Sequence, residues 1–238
     1  MNRYLLYIFN FKLLYDIFIL GDDMMEMFMY IASGIIIIPF ICYGLLIIFN
    51  NKKISEDNGF NITKDIISEY DSINIVENTG IITYYNPKRG VIRLSSRCYY
   101  GNNLSLVAIS LLEAGISVVD KHKNKYLNIF KIVFSNIKWL YIFPIVVSII
   151  NMMTYTVGDA KLGIILVVIS TVISYMFIAI LSDAFNWIVD NIKKIKAISK
   201  DNRDKVINYI NNIISLNKFM FLGELLVIIR MVAVLLYK

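Results

Sequence analysis

The chain contains a single histidine, His122, in 238 residues. Any site that needs two imidazoles is therefore excluded. Cysteine is almost as scarce. Cys42 lies in an apolar run and Cys98 in a polar segment, which leaves no paired-cysteine metal motif and argues against a disulfide. No internal repeat and no low-complexity tract is present. What the chain has in excess is hydrocarbon: 58% of its residues are hydrophobic, against about 45–50% in ordinary soluble domains, and the mean hydropathy is +0.63. The excess sits in long runs, which point to membrane rather than to a large soluble core. The formal net charge is +6. The basic residues flank apolar runs, so they fit orientation in a bilayer and contact with anionic lipid rather than with nucleic acid.

Four stretches meet the length of roughly 20 apolar residues that a spanning helix needs. They are residues 29–49, 139–157, 162–181 and 219–237. Pro39 and Gly44 in the first are tolerable in a membrane helix. The second and third form a tight helical hairpin (139–181), because only Gly158, Asp159, Ala160 and Lys161 separate them. Residues 1–28 form an N-terminal extension, an interfacial segment or an extra hydrophobic segment; Tyr4 to Leu20 is apolar but carries Lys12 and Asp16. The hydrophilic segments 50–138 and 182–218 are rich in lysine and arginine. A two-span hairpin between them puts both on one side, and the positive-inside rule makes that side cytoplasmic. The expectation is a mainly α-helical, multi-pass protein of the cell membrane with a small β-hairpin.

The first hydrophilic segment reads as folded. Thr63 is placed to cap a short helix, KDIISEYDSI. Residues 73–95 read as strands, with the NPKRG turn at 86–90 between them. Residues 103–122 carry a helical apolar pattern through Leu104, Val107, Ala108, Leu111, Leu112 and Gly115. The second hydrophilic segment reads as two amphipathic helices, FNWIVDNIKKIKAI and DKVINYINNIISL, with a polar break from Ser199 to Asp204.

Asn86-Pro87, Val91-Ile92-Arg93-Leu94-Ser95 and Tyr99-Tyr100-Gly101 stand in an order and spacing that resemble the YugP-like family of putative neutral zinc metallopeptidases of bacterial membranes. The resemblance continues at Ile180–Ala184 (ILSDA), where the family tends to show V-E-F-D-A, and at Lys205-Val206-Ile207-Asn208 before the last span. It covers the chain from about Phe28 to the C-terminus. It implies a zincin-like helix and hairpin on the cytoplasmic side, and zinc-dependent peptide hydrolysis as the family's activity. In the family an H-E-x-x-H helix follows the tyrosine pair and glycine after ten residues. That spacing falls on Leu112-Glu113-Ala114-Gly115-Ile116.

The departures from that pattern fall on the chemistry. H-E-x-x-H sets two histidines one helical turn apart so that both reach one zinc, with the glutamate as general base; a third protein ligand completes the site. The resemblance places the three lost ligands at Leu112, Ile116 and Leu181, leaving Glu113 as a relic of the general base and Asp183 as a residual polar group. Hydrocarbon side chains have no lone pair to offer a cation, so no zinc or other cofactor is expected. The strand Val91, Ile92, Arg93, Leu94, Ser95 is the candidate edge for an added peptide.

Other polar residues carry weaker signals. His122 sits among lysines, which disfavours a cation and favours a solvated loop. Glu224 and Arg230, six residues apart in the last span, do not share a helix face and each needs another partner, such as Asp183 or a backbone carbonyl. Lys193, Lys194 and Lys196, with Trp187 upstream, suit an anionic lipid surface.

Three functions compete on this reading. The first is a non-hydrolytic binding or regulatory protein on a metallopeptidase scaffold, with the bilayer and a membrane-protein or peptide partner. The second is an active peptidase drawing replacement ligands from Asp120, His122, Asp183 or Asp190. The third is a small transporter or channel component using Glu224, Arg230 and Asp159, against which stands the lack of an inverted repeat.

Overall fold

The computed structural model describes residues 22–122, 126–129 and 160–236. Six helices and three strands are numbered among them. They are α1 (Asp22–Phe49), α2 (Gly59–Ile66), β1 (Asn74–Asn78), β2 (Tyr84–Asn86), β3 (Val91–Ser95), α3 (Ser96–Tyr100), α4 (Leu104–Lys121), α5 (Ala160–Asn191) and α6 (Lys200–Leu236). The described part is mainly helical with one small sheet.

Local chemistry explains where the short elements start. Asn58, not Thr63, caps α2: its side chain accepts the Asn61 N–H at 2.9 Å, and Thr63 is buried inside the helix. The expected start fails because Asn58, immediately before Gly59 and five residues ahead of Thr63, offers the better cap and starts the helix earlier. Asn103 caps α4 by accepting the Leu106 N–H at 3.0 Å. The β2–β3 turn closes with Arg89 N–H on Asn86 O, 3.2 Å, and with Gly90 at φ +64°, a conformation that suits glycine.

The sheet order is β1-β3-β2. β2 pairs antiparallel with β3, Tyr85 opposite Ile92, and β1 pairs parallel with β3, Ile75 opposite Ile92. The expected hairpin is present, but its second strand is the middle of the sheet. Val91, Ile92, Arg93, Leu94 and Ser95 have a strand on each side. They offer no edge, which corrects the expectation of peptide addition there. The β1 segment was legible as a strand, but not that it would return alongside β3 in parallel.

The two expected amphipathic helices are not separate. The first begins as a continuation of α5, which ends at Asn191, and the second lies within α6, which runs on into the last apolar stretch. The polar break also moves: a short 3-10 turn at Ile192–Lys194 leads to residues 195–199, and residues 200–205 already belong to α6. Arg203 reaches back across this break. Its Nε donates to Ile198 O at 3.0 Å and its Nη2 to Ile195 O at 2.7 Å, satisfying carbonyls that have no helical partner.

Among the described residues, two helical segments are long and apolar enough to cross a membrane, Ile165–Lys194 and Lys200–Ile229, rather than the four expected. Gly34–Phe49, within α1, is a shorter apolar stretch. The expected span at 139–157 and residues 1–21 lie outside the described residues. α1 packs on α6, α6 on α5, and α4 on both α5 and α6. The main core gathers Ile62, Tyr85, Ile92, Leu94, Leu111 and Ile210 with the inner faces of α4 and α5.

Candidate functional site

α4 carries the positions of interest. Leu112 and Ile116 are one turn apart on a face turned inward, 3% and 0% exposed. Leu181 of α5 is 0% exposed and belongs to the same hydrophobic core. The two helices meet closely here: a Cβ on Gly115 would stand 2.9 Å from Ala184 O and 3.0 Å from the Ile188 Cδ1. Glycine at 115 is what lets the backbones approach. The three positions thus belong to one hydrophobic core near the α4–α5 contact, and Leu112 also lines a cavity on its other side.

Asp183 is exposed on α5. Two residues beyond Leu181, it is turned by about 200° around the helix from the buried face. It is therefore not a polar remnant of the buried cluster.

Glu113 is 2% exposed. Its Oε2 accepts the backbone N–H of Tyr85 at 2.7 Å. Alternate residues of an antiparallel strand turn their N–H groups away from the partner, and in β2 the outward N–H of Tyr85 meets this carboxylate. Two turns further along α4, Asp120 Oδ2 accepts the Tyr85 hydroxyl at 2.8 Å. Glu113 and Asp120, seven residues apart, share one helix face and hold Tyr85 at both ends. Burial, with Asp120 beside it, pushes the Tyr85 hydroxyl well above its ordinary value of 10.0. Sequence reasoning weighed Asp120 only as a replacement ligand and passed over Tyr85. The seven-residue spacing of the two acids opposite a strand tyrosine was the available signal.

His122 is exposed at the C-cap of α4, with its Nε2 3.4 Å from the Tyr70 hydroxyl. Asp190 is exposed on α5. Glu224, 2% exposed, has a neutral partner rather than the expected charge or carbonyl: Ser170 Oγ donates to its Oε1 at 2.7 Å. The Arg230 side chain lies outside the described residues, as does Asp159. Cys42 and Cys98 are both free thiols.

Beside Glu113 lies a cavity of about 280 Å³, bounded by α1, α4, α6 and the loop before β2. Pro39, Tyr43, Leu112, Glu113, Arg97 and Met220 are among its lining.

Zinc binds nitrogen, sulfur or oxygen donors, and Leu112, Ile116 and Leu181 supply none. The residues present therefore do not fit the metal. Among the described residues, no group of three or more His, Cys, Asp or Glu side chains is placed to hold an ion.

A family model described as putative neutral zinc metallopeptidase matches residues 49–213. No curated protein and no solved structure matches the chain.

Proposed function

Since this chain belongs to the putative neutral zinc metallopeptidase family while presenting hydrocarbon where a zinc site needs donors, we propose that it is a non-hydrolytic binding protein of the cell membrane, built on a peptidase scaffold. The observation that carries this reading is the joint fate of four positions. Leu112, Ile116 and Leu181 are buried in one core, and the carboxylate of Glu113 is engaged by the Tyr85 N–H. A glutamate held this way acts as a structural acceptor. Acid–base help from such a group, with nothing to polarise the scissile carbonyl, is a modest contribution at best.

Replacement ligation finds little support. The Asp120 Oδ2 accepts from Tyr85, and Asp183 and Asp190 are exposed on α5. The membrane reading draws on α5 and α6, on the apolar part of α1, and on the lysine-rich segments expected to face the cytoplasm. Peptide or membrane-protein partners remain the natural class for the scaffold as a whole. They would have to meet a surface other than β3.

The test is reconstruction. Leu112→His, Ile116→His and Leu181→Glu, introduced together, should create a zinc site, read as bound zinc per chain after dialysis, because α4 and α5 already meet at Gly115 and Ala184. The parent chain carried through the same procedure should stay metal-free and should not cleave casein-type substrates. Cleavage by the parent chain that a chelator abolishes would overturn the proposal.

A further inference from the structure

The cavity beside Glu113 has walls of a particular kind. Pro39, Tyr43 and Ile47 line it from one face of α1, a run of about 12 Å at 1.5 Å per residue. Ile213, Leu216 and Met220 line it from α6. At about 280 Å³ it lies near the small end of ligand pockets, which run from about 300 to 1,000 Å³. Its rim carries Ile81, 93% exposed, and Arg97, also exposed.

The hydrogen-bonding groups of the lining are largely engaged already. Thr83 Oγ1 donates to Ser95 Oγ at 3.1 Å and accepts the Ser95 N–H at 2.9 Å. Glu113 Oε2 accepts the Tyr85 N–H. Asn217 Nδ2 donates to Ile213 O at 2.8 Å. The Tyr43 hydroxyl on the wall and the Arg97 guanidinium on the rim, by contrast, have no hydrogen bond or ion pair among the described residues.

This combination discriminates between occupants. A peptide laid in the cavity would bury backbone N–H and C=O groups with few partners, which is costly. An acyl chain has no such groups, and a phosphate headgroup suits a free guanidinium. We propose that the cavity holds one acyl chain of an anionic phospholipid, with its headgroup on Arg97. The inference rests on the membrane reading above and names what the former catalytic region binds.

The experiment places the full chain in nanodiscs of phosphatidylcholine containing a minor fraction of phosphatidylglycerol with a diazirine on the acyl chain. After illumination, adducts are mapped by peptide mass spectrometry. Adducts should concentrate on residues 106–113 of α4 and 213–220 of α6. Ile109→Trp, which fills the cavity, should lower them while leaving adducts at the exposed Ile41 and Ile48 unchanged. Arg97→Glu, a surface change, should lower them about ten-fold, the loss of one charge-assisted contact, and should not alter labelling in parallel nanodiscs whose phosphatidylcholine carries the acyl-chain diazirine instead. Gel filtration of both variants checks that they are folded. Adducts spread evenly over outward-facing residues and equal in all three proteins would overturn the assignment. So would cavity adducts that arise only from an added diazirine-bearing hydrophobic peptide, which would make the occupant a peptide. A carbonate wash of the source membranes separates the two levels. Release of the protein overturns the spanning reading itself, whereas retained protein without cavity adducts overturns the lipid assignment alone.

Discussion

Glu113, which the resemblance sets at the glutamate of an H-E-x-x-H helix, has a structural partner in this fold. The glutamate of an H-E-x-x-H helix faces a metal-bound water; Glu113 faces a strand N–H at 2.7 Å. Glu113→Gln retains a carbonyl acceptor and should keep most of the stability. Glu113→Ala leaves the Tyr85 N–H buried without a partner and should cost about 1–3 kcal/mol, read as a lowered unfolding midpoint in urea. Tyr85 permits a pH test. Its folded hydroxyl titrates well above the ordinary 10.0. The stability it contributes is therefore complete below about pH 10 and declines above it, as the unfolded chain loses the proton that the folded chain keeps. Tyr85→Phe should remove that share of the decline, seen as a smaller drop in unfolding free energy between pH 9 and pH 11.

At the scale of elements, the α4–α5 contact decides whether the scaffold persists. Gly115→Ala would press a Cβ against Ala184 O and Ile188. It should cost about 1–3 kcal/mol by overpacking, measured by thermal unfolding in detergent. α4 was readable in the sequence almost to the residue, because its apolar spacing and Asn103 cap act locally. The assignment of Leu112, Ile116 and Leu181 to ligand positions rests on the spacing of the surrounding motif, not on any local pattern. The sheet was legible in part. The NPKRG turn announces the β2–β3 hairpin, but the parallel pairing of β1 with β3 is a non-local choice that no local pattern encodes. That choice turned the expected edge, Val91 to Ser95, into an interior strand. The fusion of amphipathic and apolar stretches in α5 and α6 was missed because a change from polar to apolar composition is not a helix stop. Tyr85 was overlooked because its two partners lie 28 and 35 residues away.

For the whole molecule, the bilayer reading sets orientation. Single cysteines at Asp71 and Asp201, in a background lacking Cys42 and Cys98, should both resist a membrane-impermeant maleimide in intact cells and react after permeabilisation, since both hydrophilic segments are expected on the cytoplasmic side. Labelling of either in intact cells would contradict that orientation. The chain belongs to a metallopeptidase family, and the function proposed for it turns on hydrocarbon at the three positions that the resemblance assigns to zinc ligands, Leu112, Ile116 and Leu181, all buried in the core. It is tested most directly by the zinc content of the purified, untagged chain, measured by plasma mass spectrometry after exposure to excess zinc and dialysis. The expected result is far less than one zinc per chain, with an unfolding midpoint that neither zinc nor chelator moves. One zinc per chain, retained through dialysis and lost with Glu113→Ala, would contradict it.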